Sequence, residues 1–158
     1  MQRQINTNNK HIKNMKTVPL ITSGVSGPLG VLHLPRLWQK VSLENAGKLN
    51  EDYPGIGGGY DQMVLDGLGI ANEPFSAFMA GKPTYTQLEA WVLEQSGGSL
   101  DQAAVNTLND SIVGYIHTDE TRKEILEACG VEDNGMILDA VNLNNLDDWN
   151  SFHAAEIA

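Results

Sequence analysis

The sequence predicts an all-α domain: a compact bundle of about six or seven short helices, preceded by an ordered apolar loop and interrupted by a glycine-rich loop. Two observations carry this. Apolar residues recur at spacings of three and four along most of the chain after Leu34. Helix start and stop signals punctuate those stretches in series: a serine or threonine with an acid or glutamine three residues on, and a glycine at the far end.

The elements follow in order. Residues 17–34, TVPLITSGVSGPLGVLHL, mix apolar and small residues with repeated glycine and proline, which predicts a partly buried loop without helix lying across the core. Pro35 suits a first turn, where its missing N–H costs nothing. Leu34, Leu37, Trp38 and Val41 then form one stripe, with a stop near Gly47. After the glycine loop, Tyr60–Leu68 reads as a short helix carrying Met63, Val64 and Leu68 and closed by Gly69. Pro74, Phe75, Phe78 and Met79 fit another, ending at Gly81. Thr86 and Glu89 read as a capping box, with Thr84 and Gln87 as a competing one two residues earlier, for a helix burying Leu88, Trp91 and Val92. Ser99 and Gln102 open a longer helix with Leu100, Ala104, Leu108 and Ile112 on one side. Thr118 caps the next, whose first turn holds Asp119 and Glu120 and whose apolar side holds Ile125, Leu126 and Cys129. Asn145 is the expected start of a C-terminal helix with Asp147 and Asp148 in its first turn and Leu146, Trp149 and Phe152 as its anchoring face. Only Met136 to Val141 hints at period-two alternation.

Composition bounds the rest. A chain of 158 residues, 41% hydrophobic and 19% charged, can bury a core as one domain over 17–158. One cysteine excludes an internal disulfide framework and fits a reducing compartment, so the cytoplasm is the expected location. No apolar run approaches the roughly 20 residues that span a membrane. The net charge of −10 is uneven. Residues 1–16 hold Arg3, Lys10, Lys13 and Lys16 without an acid and read as a disordered basic leader; from Thr17 onward six basic residues face 20 acidic ones, a formal −14. Such a body repels nucleic acid. Met15 stands directly before the first apolar cluster and offers a second start of translation. An export signal over Lys16 to Val31 is opposed by Pro19, Gly24, Gly27, Pro28 and Gly30, which break any apolar run.

Four segments, SGPLGVLHLPRLWQKVSLENAGKL, YPGIGGGYDQMVLDGLG, KPTYTQLEAWV and EACGVEDNGMILDAVNLNNLDDW, together resemble a bacterial family catalogued as domain-of-unknown-function family 5069. The resemblance runs from Met15 onward. It implies one intact domain and no particular activity.

No motif of known chemistry is complete. Gly55 to Asp61 places Tyr60 where a dinucleotide fingerprint needs its third glycine, so a tight turn against the core is preferred to a loop closing over a ligand. Gly24-Val25-Ser26-Gly27 is one residue short of a nucleophile elbow. His11, His33, His117 and His153 have no metal-ligand spacing; neither a metal nor a cofactor is expected. Cys129, among Glu124, Glu127 and Glu132, reads as a small core residue.

If the domain takes a small molecule, six residues are the candidates: His33, Arg36, Tyr60, Asp61, Lys82 and Tyr85. They sit at loop–helix junctions beside glycine or proline, where side chains from separate elements converge. Arg36 and Lys82 are scarce cations in an acidic body, which points to a small anionic ligand. Asp61 is placed to orient His33 or act as acid/base; the rival reading has Asp61 capping its helix and Arg36 pairing locally. The function classes left open are a small-molecule binding or protein-interaction module, a small enzyme with a cleft between the glycine-rich loop and the first helix, and a structural homo-oligomer subunit.

Overall fold

The computed structural model describes residues 15–158. Seven helices are present among them: α1 (Leu34–Asn45), α2 (Tyr60–Leu68), α3 (Asn72–Met79), α4 (Tyr85–Gln95), α5 (Gln102–Val113), α6 (Asp119–Ala128) and α7 (Ala140–Glu156). No strand forms among the described residues; three isolated bridges tie loop segments together. Of the basic leader, residues 1–14 lie outside the described part. Lys16 reaches the carbonyl of Gly47 at 3.1 Å, and Thr17 bridges to Leu49.

Helix α1 is central. Its stripe of Leu34, Leu37 and Val41 is buried, and it packs on α2, α3 and α4. Helix α2 lies on α5, and α7 lies on both α5 and α6. The α2–α5 approach needs Gly67, because a Cβ there would meet the Leu108 side chain at 2.9 Å. The core runs from Val31 to Ala140 in sequence, with Phe75, Met79, Leu88 and Ile112 at 0% exposure.

The apolar N-terminal loop is held by side chains rather than by secondary structure. Its backbone N–H groups at Ile21, Leu29 and Leu32 donate to Gln39, Glu89 and Asn109, and Val31 is buried beneath. Buried backbone donors must find acceptors, and here three helices supply them.

Four expectations are corrected. The α4 box is formed by Thr84 and Gln87, with both reciprocal bonds in place. Glu89 is buried instead, accepting from Leu29 N–H and the Tyr85 hydroxyl at 3.0 Å each, so it is not free to serve Thr86. Helix α5 is capped by Asp101 rather than Ser99, and Val105 replaces the exposed Ala104 on its buried side. Helix α7 starts at Ala140 under an Asp139 cap, so Asp147 and Asp148 lie mid-helix. Its phase is set by buried Ala140, Leu143 and Asp148, which turns Trp149 outward at 58% exposure. Cys129 is the C-cap of α6, half-buried, with its thiol donating to the carbonyl of Leu146 at 3.5 Å.

The two rival caps of α4 make a direct test. Thr84→Ala is expected to cost about 1 kcal/mol and Thr86→Ala under about 0.5 kcal/mol in urea unfolding. Equal losses would place the helix start elsewhere.

Candidate functional site

The junction between the apolar loop and α1 is held from several sides. His33 caps α1 with φ 68°, a left-handed conformation uncommon for a non-glycine residue, and its surroundings hold it there. Its N–H donates to Val25 O at 3.1 Å, its carbonyl accepts from Leu37 N–H at 3.0 Å, and the ring is buried.

Both ring nitrogens are engaged. Nδ1 lies 2.8 Å from Ser23 Oγ and Nε2 lies 2.6 Å from Asp61 Oδ1. Asp61 stands in the first turn of α2 and is 2% exposed. Its second oxygen accepts from Lys40 Nζ at 2.5 Å and from Gly57 N–H at 2.7 Å. Burial raises a carboxyl pKa, but the His33 bond and the Lys40 ammonium outweigh it and hold Asp61 at about 2. Burial lowers His33 and outweighs the attraction of Asp61. The consistent assignment is an ionised Asp61, a cationic Lys40, and a neutral His33 with its hydrogen on Nε2, accepting the Ser23 hydroxyl at Nδ1.

The order serine, histidine, aspartate is that of a nucleophilic triad. Ser23, however, is 2% exposed and is not among the residues that border the open space beside His33. The end that reaches open space is His33, Lys40 and Asp61. The chain of bonds therefore fixes the ring and the carboxylate rather than presenting a hydroxyl.

A second buried ion pair lies beside the first. Arg36, one turn before Lys40 on the same side of α1, forms a fork with Asp148 of α7 at 2.6 and 3.0 Å. It also donates to the carbonyls of Ile21 at 2.9 Å and Pro19 at 3.4 Å. The Tyr53 hydroxyl donates to the same Asp148 oxygen at 3.0 Å. Arg36 thus pairs across 112 positions, not locally as the rival reading had it.

Both pairs border one cavity of about 290 Å³ between α1, the glycine loop, the start of α2 and the middle of α7. Four of the six sequence candidates, His33, Arg36, Tyr60 and Asp61, meet there. Tyr60 stacks obliquely on His33 with centroids 5.3 Å apart and donates its hydroxyl to Ile112 O at 2.6 Å; burial pushes its pKa up to about 12. Lys82 and Tyr85 are not part of it. Lys82 is exposed in the turn after α3, and Tyr85 packs edge-on to Trp38 against Gly27 and bonds Glu89.

The remaining lining was missed in the sequence. Lys40 had a signal, since it sits four residues after Arg36 on one helix face. Tyr53, Tyr115, His117, Asn144, Asp147 and Asp148 had none, because the loops and α7 reach this point only through the tertiary fold. His117 Nε2 meets Asn144 Oδ1 at 2.8 Å, and its ring stands edge-on to Tyr115. Asp147 makes no hydrogen bond or ion pair among the described residues, and burial followed by the charge of Asp148 raises its pKa. Among the described residues no three His, Cys, Asp or Glu side chains gather as a metal site. No described helix is long and apolar enough to cross a membrane.

The family model for a domain of unknown function, DUF5069, matches residues 23–148, and the chain belongs to that family. The match begins at Ser23, eight residues later than the expected Met15, and takes in every residue lining the cavity. No curated protein and no solved structure matches the chain.

The state of Asp61 makes stability depend on acid. Its folded pKa lies below the ordinary 3.8, so its ionised form contributes stability above that value, and the contribution fades as pH falls toward about 2. In urea unfolding Asp61→Asn is expected to be destabilised by on the order of 3 kcal/mol near pH 6, where it strands the Lys40 charge. The gap to the unsubstituted protein should narrow steadily below about pH 4. Parallel curves over the whole range would contradict an ionised Asp61.

Proposed function

We propose that this protein binds a small polar molecule in the cavity between α1, the glycine loop and α7. The observation that carries the reading is that two buried ion pairs, Lys40–Asp61 and Arg36–Asp148, border the same open cavity. Buried ion pairs are poor sources of stability, because desolvation offsets most of their attraction and apolar replacements of equal size often serve as well. Charged groups placed at a concave site at that cost mark a binding or catalytic surface more often than a structural one. The volume, about 290 Å³, suits a ligand of metabolite size. Its lining comes from α1, the glycine loop, the start of α2 and the middle of α7, tied together by the two ion pairs. A protein-interaction surface is less well supported, since the convergent groups lie inside a recess.

A small enzyme is the second reading, favoured by His117. Its Nε2–H is held by Asn144, which leaves Nδ1 with a lone pair and no partner among the described residues. A ring oriented this way at a cavity wall is suited to general-base work. Chemical change of a bound ligand, read by mass spectrometry after incubation, separates the two readings.

Thermal-shift screening of the full chain against polar metabolites tests the binding itself. A ligand at about 100 times its dissociation constant should raise the midpoint by roughly 5–10 °C. The shift should disappear in His117→Ala, whose ring lines the cavity, and persist in Glu94→Ala on the far side of α4. A shift insensitive to His117 would place the ligand elsewhere.

A further inference from the structure

We propose that the ligand of this cavity is a small organic cation, an amine or guanidinium compound, with Asp147 as its counter-ion and tyrosine rings as its walls. This rests on the cavity being the binding site. It reverses the polarity expected from the sequence, where Arg36 and Lys82 pointed to an anion.

The cavity is lined by two cations, and each is closed by a carboxylate: Arg36 by Asp148 at 2.6 Å and Lys40 by Asp61 at 2.5 Å. Lys82 lies outside. Two further carboxylates line the cavity, Asp52 and Asp147, and neither has an ion-pair or hydrogen-bond partner among the described residues. With His33 neutral, the lining carries a formal charge of −2. An anion entering here would meet two uncompensated carboxylates and no free cation. A cation would supply what both lack.

The walls agree with the charge. Three tyrosines line the cavity, and two have committed their hydroxyls elsewhere: Tyr60 donates to Ile112 O and Tyr53 to Asp148. The Tyr53 ring already carries the Arg36 guanidinium 6.0 Å from its centroid and Tyr60 is 8% exposed, so the open aromatic surface is chiefly that of Tyr115. Tyr115, 45% exposed and edge-on to Tyr60 at 5.7 Å, extends that aromatic wall to the rim. Aromatic faces beside carboxylates are the surroundings that hold ammonium and guanidinium groups. Asp147 is half-buried next to Asp148, which disfavours its ionised form until a positive charge arrives.

The experiment uses calorimetry and thermal shift on the full chain with four cations of different head group: agmatine, putrescine, benzylamine and choline. Butanediol and succinate serve as neutral and anionic controls of similar length. At least one cation should bind, more weakly as salt rises, and Asp147→Asn should lose roughly tenfold or more in affinity. The same variant should melt no lower than the unsubstituted protein without ligand, which separates lost binding from lost folding. Binding by none of the four cations, or binding unchanged in Asp147→Asn, overturns the proposal. If succinate or butanediol binds instead and His117→Ala abolishes it, the ligand class is wrong and the cavity stands. If no compound of this set or of the metabolite screen binds, the cavity reading falls as well.

Discussion

A single carboxylate, that of Asp61, fixes the geometry around it. It lies in the first turn of α2, out of water, and accepts from the ring of His33, the ammonium of Lys40 and the backbone of Gly57. An unpartnered charge in that position would be too costly to keep, so each donor is a condition of the fold. Gly57 N–H ties the glycine loop to α2. Lys40 ties α2 to α1. His33 ties both to the apolar loop through Ser23, and its left-handed backbone follows from meeting Asp61 and Ser23 at once while capping α1. The cost of that conformation, about 1–3 kcal/mol, is offset by the bonds it makes possible.

The Arg36–Asp148 fork extends the same logic to the other end of the chain. It fixes the rotation of α7, turning Trp149 to solvent and bringing Asn144 and Asp147 to the cavity wall. These two polar clusters border the cavity between them. Its electrostatic character is a by-product of the same arrangement. The cations that build the walls are consumed in building them, and the acidic residues of α7 and of the loop before α2 are left facing the space.

How much of this was legible in the sequence depended on the range of the interaction. Several local signals held: α2 runs from Tyr60 to Leu68 as its apolar spacing and Gly69 required, and Thr118 caps α6, although Asp101 displaces Ser99 as the cap of α5. Errors arose where a residue suited to a local role was taken by a distant partner. Glu89 fitted a capping box with Thr86, but Leu29 and Tyr85 claim it. Asp148 fitted a first turn, but Arg36 holds it mid-helix. The same distinction divides the site. His33, Arg36, Tyr60 and Asp61, at junctions beside glycine and proline, meet at the cavity. Their partners on α7 come from the far end of the chain, where spacing carries no information. Lys82 lies outside the cavity, whereas Lys40, equally scarce and one turn from Arg36 on the same helix, lines it.

An ionised Asp61 facing a neutral His33 sets the charge left in the cavity. Imidazole ¹⁵N spectroscopy of the folded protein reads it directly. At about pH 6, below the ordinary histidine pKa, His33 should show a hydrogen on Nε2 only and an unprotonated Nδ1 accepting from Ser23. A His33 ring protonated on both nitrogens at that pH would contradict it.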